Sequence, residues 1–217
     1  MIRSGLWVIQ DVEGMCCTGT IPFAVSLVLM DKTCNVLDVF YGTCDPASTP
    51  HDIKTANWWN DDSNRAQMLA EWPVTHESPK ALGEAIATWA AACVNANPKQ
   101  RLTVVSDNPG YDTAAVSRLL EKADHYPLRM LLANGSYGHE ASVNDYIRGC
   151  VEAKGDDGKF INAHYLANTF VQSALENVLK KIPEALRAHT AKYWGPHHPV
   201  FDCLKLGFES RIYLAIE

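Results

Sequence analysis

Three apolar, β-branched runs fall within the first 41 residues: "LWVIQDV" (6–12), "IPFAVSLVLM" (21–30) and "NVLDVFY" (35–41). Their links are short, with "DKTCN" as the turn between the last two, and this predicts an antiparallel meander of three strands. The chain then changes character. Residues 45–62 are rich in Pro, Ser, Asn and Asp and read as loop, interrupted by "TANWW". Asp62 or Ser63 is placed to cap a helix over "NRAQMLAEW". "SPKALGEAIATWAAACVNA" reads as a strong helix, with Ser78 as cap, Pro79 in the first turn, and Leu82, Ile86, Trp89 and Cys93 on one face. "RLTVVSD" (101–107) reads as a buried strand, "TAAVSRLLEKA" (113–123) as the helix after it, and "PLRMLLA" (127–133) as a further strand. Residues 139–150 and 162–181 read as helices separated by a flexible turn, "AKGDDGK" (153–159). The last helix is expected over 199–216, with Pro199 near its first position. Strands first, then alternating strand and helix, predict an α/β fold: a mixed sheet flanked by helices.

The 217 residues suit one domain over 1–217 with a full core. A composition of 47% hydrophobic and 20% charged residues is that of a globular protein, and no apolar run is long enough to span a bilayer. "MIRSGLWVIQD" lacks the long apolar stretch of a signal peptide, so a cytoplasmic location with no membrane partner is expected. The seven cysteines, an odd count without Cys-x-x-Cys, argue against a disulfide framework or zinc knuckle and for buried thiols. The formal net charge of −6 counts against a protein that grips nucleic acid by phosphate neutralisation alone. It counts less against an enzyme whose metal ions supply the local positive charge.

Asp11 and Glu13 stand two apart on the first strand, so their side chains share one face. Paired carboxylates on a rigid strand repel unless a cation lies between them, and hard divalent cations take such oxygens. The alternative is a strand end emerging into solvent. Asp112 follows a buried strand and a Gly turn and opens a helix, where capping is its competing role. Asp107, at the end of that strand, competes with it for the metal-site role. His197 and Asp202 are five apart, and Pro199 places the helix start after the histidine. A loop imidazole beside a first-turn carboxylate can then converge on one site. Such an imidazole suits general-base work, with metal ligation as the rival reading; His198 is the bystander. Trp58 and Trp59 point to different faces, one to the core and the other either free to stack on a base or buried as well. Trp72, Trp89 and Trp194 are assigned to packing.

Asp-x-Glu at the first strand, Asn-x-x-Tyr-Asp in mid-chain and His-x-x-x-x-Asp at the last helix together resemble the three motifs of the DEDDh class. That class comprises 3′–5′ exonucleases of the ribonuclease H-like superfamily. "TANWWNDDSNRA" (55–66), with Cys203 after Asp202, is similar to a branch containing a phage exonuclease A and a mycobacterial adenylate-trimming ribonuclease. The chain departs from that branch at Asp62, where Gln is common, and at Gln67, where a basic residue is common.

The resemblance implies a ribonuclease H-like sheet and two divalent metal ions, Mg²⁺ or Mn²⁺. Asp11, Glu13 and Asp202 would hold one, and Asp11 with Asp112 the other. His197 would act as general base, with Glu13 in the catalytic set. Trp58, Trp59 and Tyr111 would contact substrate. The implied activity is release of nucleoside monophosphates from the 3′ ends of single-stranded DNA or RNA, with a homodimer as a possible assembly. Rival readings are a catalytically silent nucleic-acid- or protein-binding module and an endonuclease of the same superfamily. Residues 134–196, with Lys180, Lys181, Arg187 and Lys192, are a substrate channel, a dimer face or a solvated helix surface.

Overall fold

A computed structural model describes the backbone of residues 5–17, 21–133, 139–142 and 157–216, and the side chains of 5–17, 21–133 and 162–213. Five strands form one mixed sheet in the order β3-β2-β1-β4-β5. They are β1 (Leu6–Glu13), β2 (Ala24–Met30), β3 (Val36–Thr43), β4 (Leu102–Ser106) and β5 (His139–Ser142). β1, β2 and β3 pair antiparallel, as the three early apolar runs require. β4 pairs parallel to β1 and β5 parallel to β4. The fold is thus the α/β mixed sheet expected from the sequence, a meander extended by parallel strands.

Eight helices are described: α1 (Ile53–Asn60), α2 (Ser63–Ala70), α3 (Pro79–Ala96), α4 (Asp112–Lys122), α5 (Leu128–Leu131), α6 (Asp157–Lys181), α7 (Glu184–Lys192) and α8 (Pro199–Ile216). Asp62 caps α2 by accepting from the amides of Asn64 and Arg65, and Ser78 caps α3 with Pro79 behind it.

Side-chain alternation along β1 divides the molecule. On one face the Arg211 guanidinium of α8 lies 3.5 Å over the Trp7 ring, and Ile9 meets Gly207 of α8 so closely that a Cβ there would lie 2.4 Å from Ile Cδ1. On the other face Gln10 Nε2 donates to Thr113 Oγ1 of α4 at 2.5 Å. Asp11 and Glu13 continue the Trp7–Ile9 face, so α8 covers the start of that row and leaves its acidic end to the site.

Several sequence expectations fail. Residues 127–133 are not a strand: Pro127 precedes the single turn α5. Leu and Met form helices readily, and a short apolar run carries no period that decides between the two structures. The outer parallel strand is instead 139–142, which falls at the start of an expected helix; residues 143–150 lie outside the described residues. The turn expected over 153–159 is overturned at 157–159, which belong to α6, and 153–156 lie outside the described residues. The 45–62 loop holds a 3-10 turn at Pro46–Ser48 and then α1, which Asp52 caps by accepting from the Thr55 amide at 2.8 Å. α7 had no counterpart in the sequence reading. Cys17 is exposed, unlike Cys16, Cys44, Cys93 and Cys203, which are buried. No helix among the described residues is long and apolar enough to cross a membrane.

Candidate metal centre

The carboxyl-terminal ends of the parallel strands β1 and β4 open into one cleft of about 700 Å³. Its lining includes Asp11, Glu13, Asp107, Asp112, His197 and Asp202, which the sequence separates by up to 191 positions between Asp11 and Asp202. Oxygens of Asp11, Asp107 and Asp112 lie within 4.8 Å of one another. So do ligand atoms of Glu13, His197 and Asp202. Asp107 and Asp112, weighed as alternatives from the sequence, are therefore both present. The imidazole is near enough to Glu13 and Asp202 to keep its ligand reading alive beside its base reading.

Each side chain is held by local structure. Asp112 is the first residue of α4, but its carboxylate does not cap the helix. It turns back to β4, where Ser106 Oγ donates to Asp112 Oδ2 at 2.5 Å. His197 occupies the turn before α8 with φ 69°, a left-handed conformation uncommon outside glycine. Its backbone N–H donates to Asp202 Oδ2 at 2.8 Å, which joins the two residues across the turn that Pro199 ends. Asp202 lies in the first turn of α8. Behind it, the buried Cys203 thiol faces the Ile9 carbonyl at 3.4 Å.

Burial and mutual repulsion raise all four carboxyl pKa values. Asp11 is pushed well above the usual range, by burial first and then by Glu13, Asp112, Asp202 and Asp107. Glu13 rises by burial and then by Asp202 and Asp112. Asp112 rises to about 7 and Asp202 to about 6, again by burial first, although the Ser106 hydroxyl and the His197 amide respectively pull them back. Asp11 Oδ2 is buried with no hydrogen-bond partner. An orphaned carboxylate oxygen amid like charges costs free energy unless protonated or paired with a cation. The oxygen-rich donor set fits a hard divalent ion. His197 moves the other way: burial and the Arg65 cation lower its pKa, against Asp62, so the ring is neutral at physiological pH.

The two tryptophans differ in exposure. Trp59 is fully buried, and its Nε1 donates to the Gly14 carbonyl at 3.1 Å. Trp58 is 36% exposed and stands edge-on to the His197 ring at 4.9 Å, with the Arg65 guanidinium carbon 4.2 Å from the Trp58 ring centroid. A second hollow of about 370 Å³ adjoins the first, lined by Val12, Glu13, Lys54, Thr55, Trp58 and Tyr111 among others. Tyr111 lines both and donates its hydroxyl to the Cys16 carbonyl at 3.2 Å. Trp72 is buried, and Trp89 and Trp194 pack partly buried against the core. His198 is fully buried against Tyr41 and Trp72, outside the cleft lining.

Three ionisable cleft residues were not singled out from the sequence: His164 on α6, and Lys205 and Glu209 on α8. Lys205 and Glu209 stand three and seven residues after Asp202, on the same helix face, so that spacing was a usable signal. His164 had none. The basic residues that were singled out act elsewhere. Lys181 Nζ donates to the Leu37 carbonyl at 2.9 Å, and Lys192 pairs with Glu71 at 2.6 Å.

No protein-family model matches the sequence, and no curated protein matches it. Solved structures do. One is Escherichia coli exonuclease I in complex with a dT13 oligonucleotide, at 12% identity and a TM-score of 0.48 over 70% of this chain and 31% of that one. Another is a product-bound exonuclease I, at 13% identity and a TM-score of 0.46 over 70% of this chain and 33% of that one. The chain spans about a third of the length of these structures.

Proposed function

We propose that this chain is a metal-dependent 3′–5′ exonuclease of the DEDDh class, in the branch that "TANWW" and Cys203 resemble. The observation that carries the reading is the convergence on one cleft of four pKa-raised carboxylates and a neutral imidazole. Asp11, Glu13, Asp112 and Asp202 would hold Mg²⁺ or Mn²⁺, with Asp107 at the edge of the set. When bound, such ions supply positive charge that makes water more acidic and stabilises charge on a phosphoryl group and its leaving oxygen.

The chain's own residues then position and move a proton. His197 Nδ1 or Nε2 takes a proton from the attacking water. The water oxygen bonds to phosphorus, the bond from phosphorus to the 3′ oxygen breaks, and a nucleoside 5′-monophosphate leaves. Trp58 confines the imidazole from one side, while the His197 amide fixes Asp202 from the other. The hollow between Val12, Trp58 and Tyr111 takes the terminal nucleoside, whose base any aromatic face can stack upon.

The test is digestion of matched 5′-labelled single-stranded DNA and RNA with Mn²⁺ or Mg²⁺ and an EDTA control. The reading expects a stepwise ladder that shortens from the 3′ end, abolished by EDTA and by Asp202→Asn. Internal cuts in a 3′-blocked strand would make the protein an endonuclease, and no cleavage with either metal would remove the nuclease reading.

A further inference from the structure

The cleft extends beyond the acidic cluster along α8. Asp202, Lys205, Leu206 and Glu209 all line it, a spacing that forms one stripe on a helix. At 1.5 Å rise per residue, Lys205 lies about 4.5 Å and Glu209 about 10.5 Å along the axis from Asp202. The stripe therefore leads away from the centre in one direction. α6 closes its far end, where His164 Nδ1 meets Glu209 Oε2 at 3.1 Å. Glu209 is largely enclosed there, its side chain 12% exposed, whereas that of His164 is 46% exposed.

The charges along this stripe are uneven. Asp11, Glu13, Asp107, Asp112, Asp202 and Glu209 all line the cleft, yet among the described lining residues Lys205 is the one lysine or arginine. No carboxylate of the described residues lies within ion-pair distance of it, although it is close enough to draw down the pKa of Asp202. Lys205, a residue of intermediate exposure that no described carboxylate pairs with, is available to an anion of the substrate. His164 is oriented by Glu209 through Nδ1, which leaves Nε2 as the ring nitrogen available to the same anion.

We propose that Lys205, with His164 held by Glu209, forms a phosphate ledge. It binds the phosphodiester one nucleotide 5′ to the scissile bond, so the site selects strands over single nucleotide esters. The inference rests on the exonuclease reading and adds to it which polyanion length the site demands and which residues measure it. Lys205 and His164 are positioning residues: they touch the strand away from the reacting atoms. A lysine here grips the phosphate as a point charge and carries no base information.

Two substrates separate the ledge from the chemistry. Thymidine 5′-p-nitrophenyl phosphate has one phosphodiester and nothing upstream; a short single-stranded oligonucleotide has the upstream phosphate. Lys205→Ala is expected to raise KM for the oligonucleotide about tenfold more than KM for the ester. It should also reduce the slope of log kcat/KM against log salt for the oligonucleotide by about 0.7, one phosphate contact on a single strand. Lys205→Arg should recover most of both. His164→Ala should move oligonucleotide KM in the same direction. Equal losses on the two substrates, or a salt slope that does not move, would overturn the ledge while leaving the nuclease reading in place. If the unaltered protein with Mn²⁺ cleaves neither substrate, the exonuclease reading falls and the ledge falls with it.

Discussion

His197 has the most constrained conformation in the site. Its backbone is left-handed, its N–H is committed to Asp202, and its ring is set edge-on against Trp58. Those constraints orient an imidazole whose lowered pKa keeps it a base at neutral pH. His197→Ala should therefore cut turnover by about 10²- to 10⁴-fold. The thermal shift produced by Mn²⁺ should persist in that variant, measured by differential scanning fluorimetry; its loss would favour the ligand reading instead. Asp11 is the opposite case, a carboxylate whose environment penalises its charge. Asp11→Asn replaces a group whose ionisation the fold penalises by one that cannot ionise, and is expected to raise the melting temperature of the metal-free protein by about 2–4 °C per kcal/mol of relief, for a chain of this size. Nuclease activity should be lost at the same time. Much of this was legible in single residues. Pro199 fixed where α8 starts, and hence the separation of a loop histidine from a helical aspartate. Adjacent aromatics left open whether one ring or both are buried. His164 was illegible because nothing local marks it; its place in the cleft depends on the packing of α6 on α8.

At the scale of elements, close approaches of helix to helix and of helix to sheet set the geometry. A Cβ on Gly83 of α3 would lie 2.3 Å from the Leu119 carbonyl oxygen of α4, a backbone atom that cannot rotate away. A Cβ on Gly207 of α8 would meet the ends of the Ile9 and Met30 side chains rather than backbone. Gly83→Ala should consequently destabilise more than Gly207→Ala, in the range of about 1–3 kcal/mol typical of overpacking. Equilibrium urea unfolding of the two variants checks the order. Periodicity and caps revealed α2, α3 and α4 because Asp62, Ser78 and the Pro79 start are local chemistry. The misreadings share another cause. "PLRMLLA" and 139–142 exchange roles because a short run takes its structure from its neighbours: 139–142 pairs with β4, whereas 128–131 pairs with no strand among the described residues. α1 was hidden by polar composition, since its stability comes from the Asp52 cap and the burial of Trp59 rather than from an apolar stripe.

For the whole molecule, the acidic cleft couples stability to pH. In the unfolded chain these aspartates ionise near pH 4. In the metal-free folded protein Asp202 holds its proton to about pH 6 and Asp112 to about pH 7. Between those limits these two carboxyls bind more protons in the folded state than in the unfolded one, so their contribution to stability falls as the pH rises from 4 to 7; the buried His198, whose pKa is lowered to about 3, contributes in the opposite direction. The gain in melting temperature on replacing EDTA by saturating Mg²⁺ should therefore grow as the pH rises from 4 to 7, because a bound cation favours the ionised carboxylates; a gain that does not change with pH would contradict this coupling. The net charge of −6 is in part the signature of this cluster. Titration calorimetry with Mn²⁺ at pH 7.5, on the unaltered protein and on Asp11→Asn, addresses the cluster without relying on turnover. Saturable binding to the unaltered protein, released protons detected as a buffer-dependent heat, and strongly weakened binding in the variant are the expected results. Absence of saturable binding, or binding of equal strength in Asp11→Asn, would contradict a metal centre built from these carboxylates.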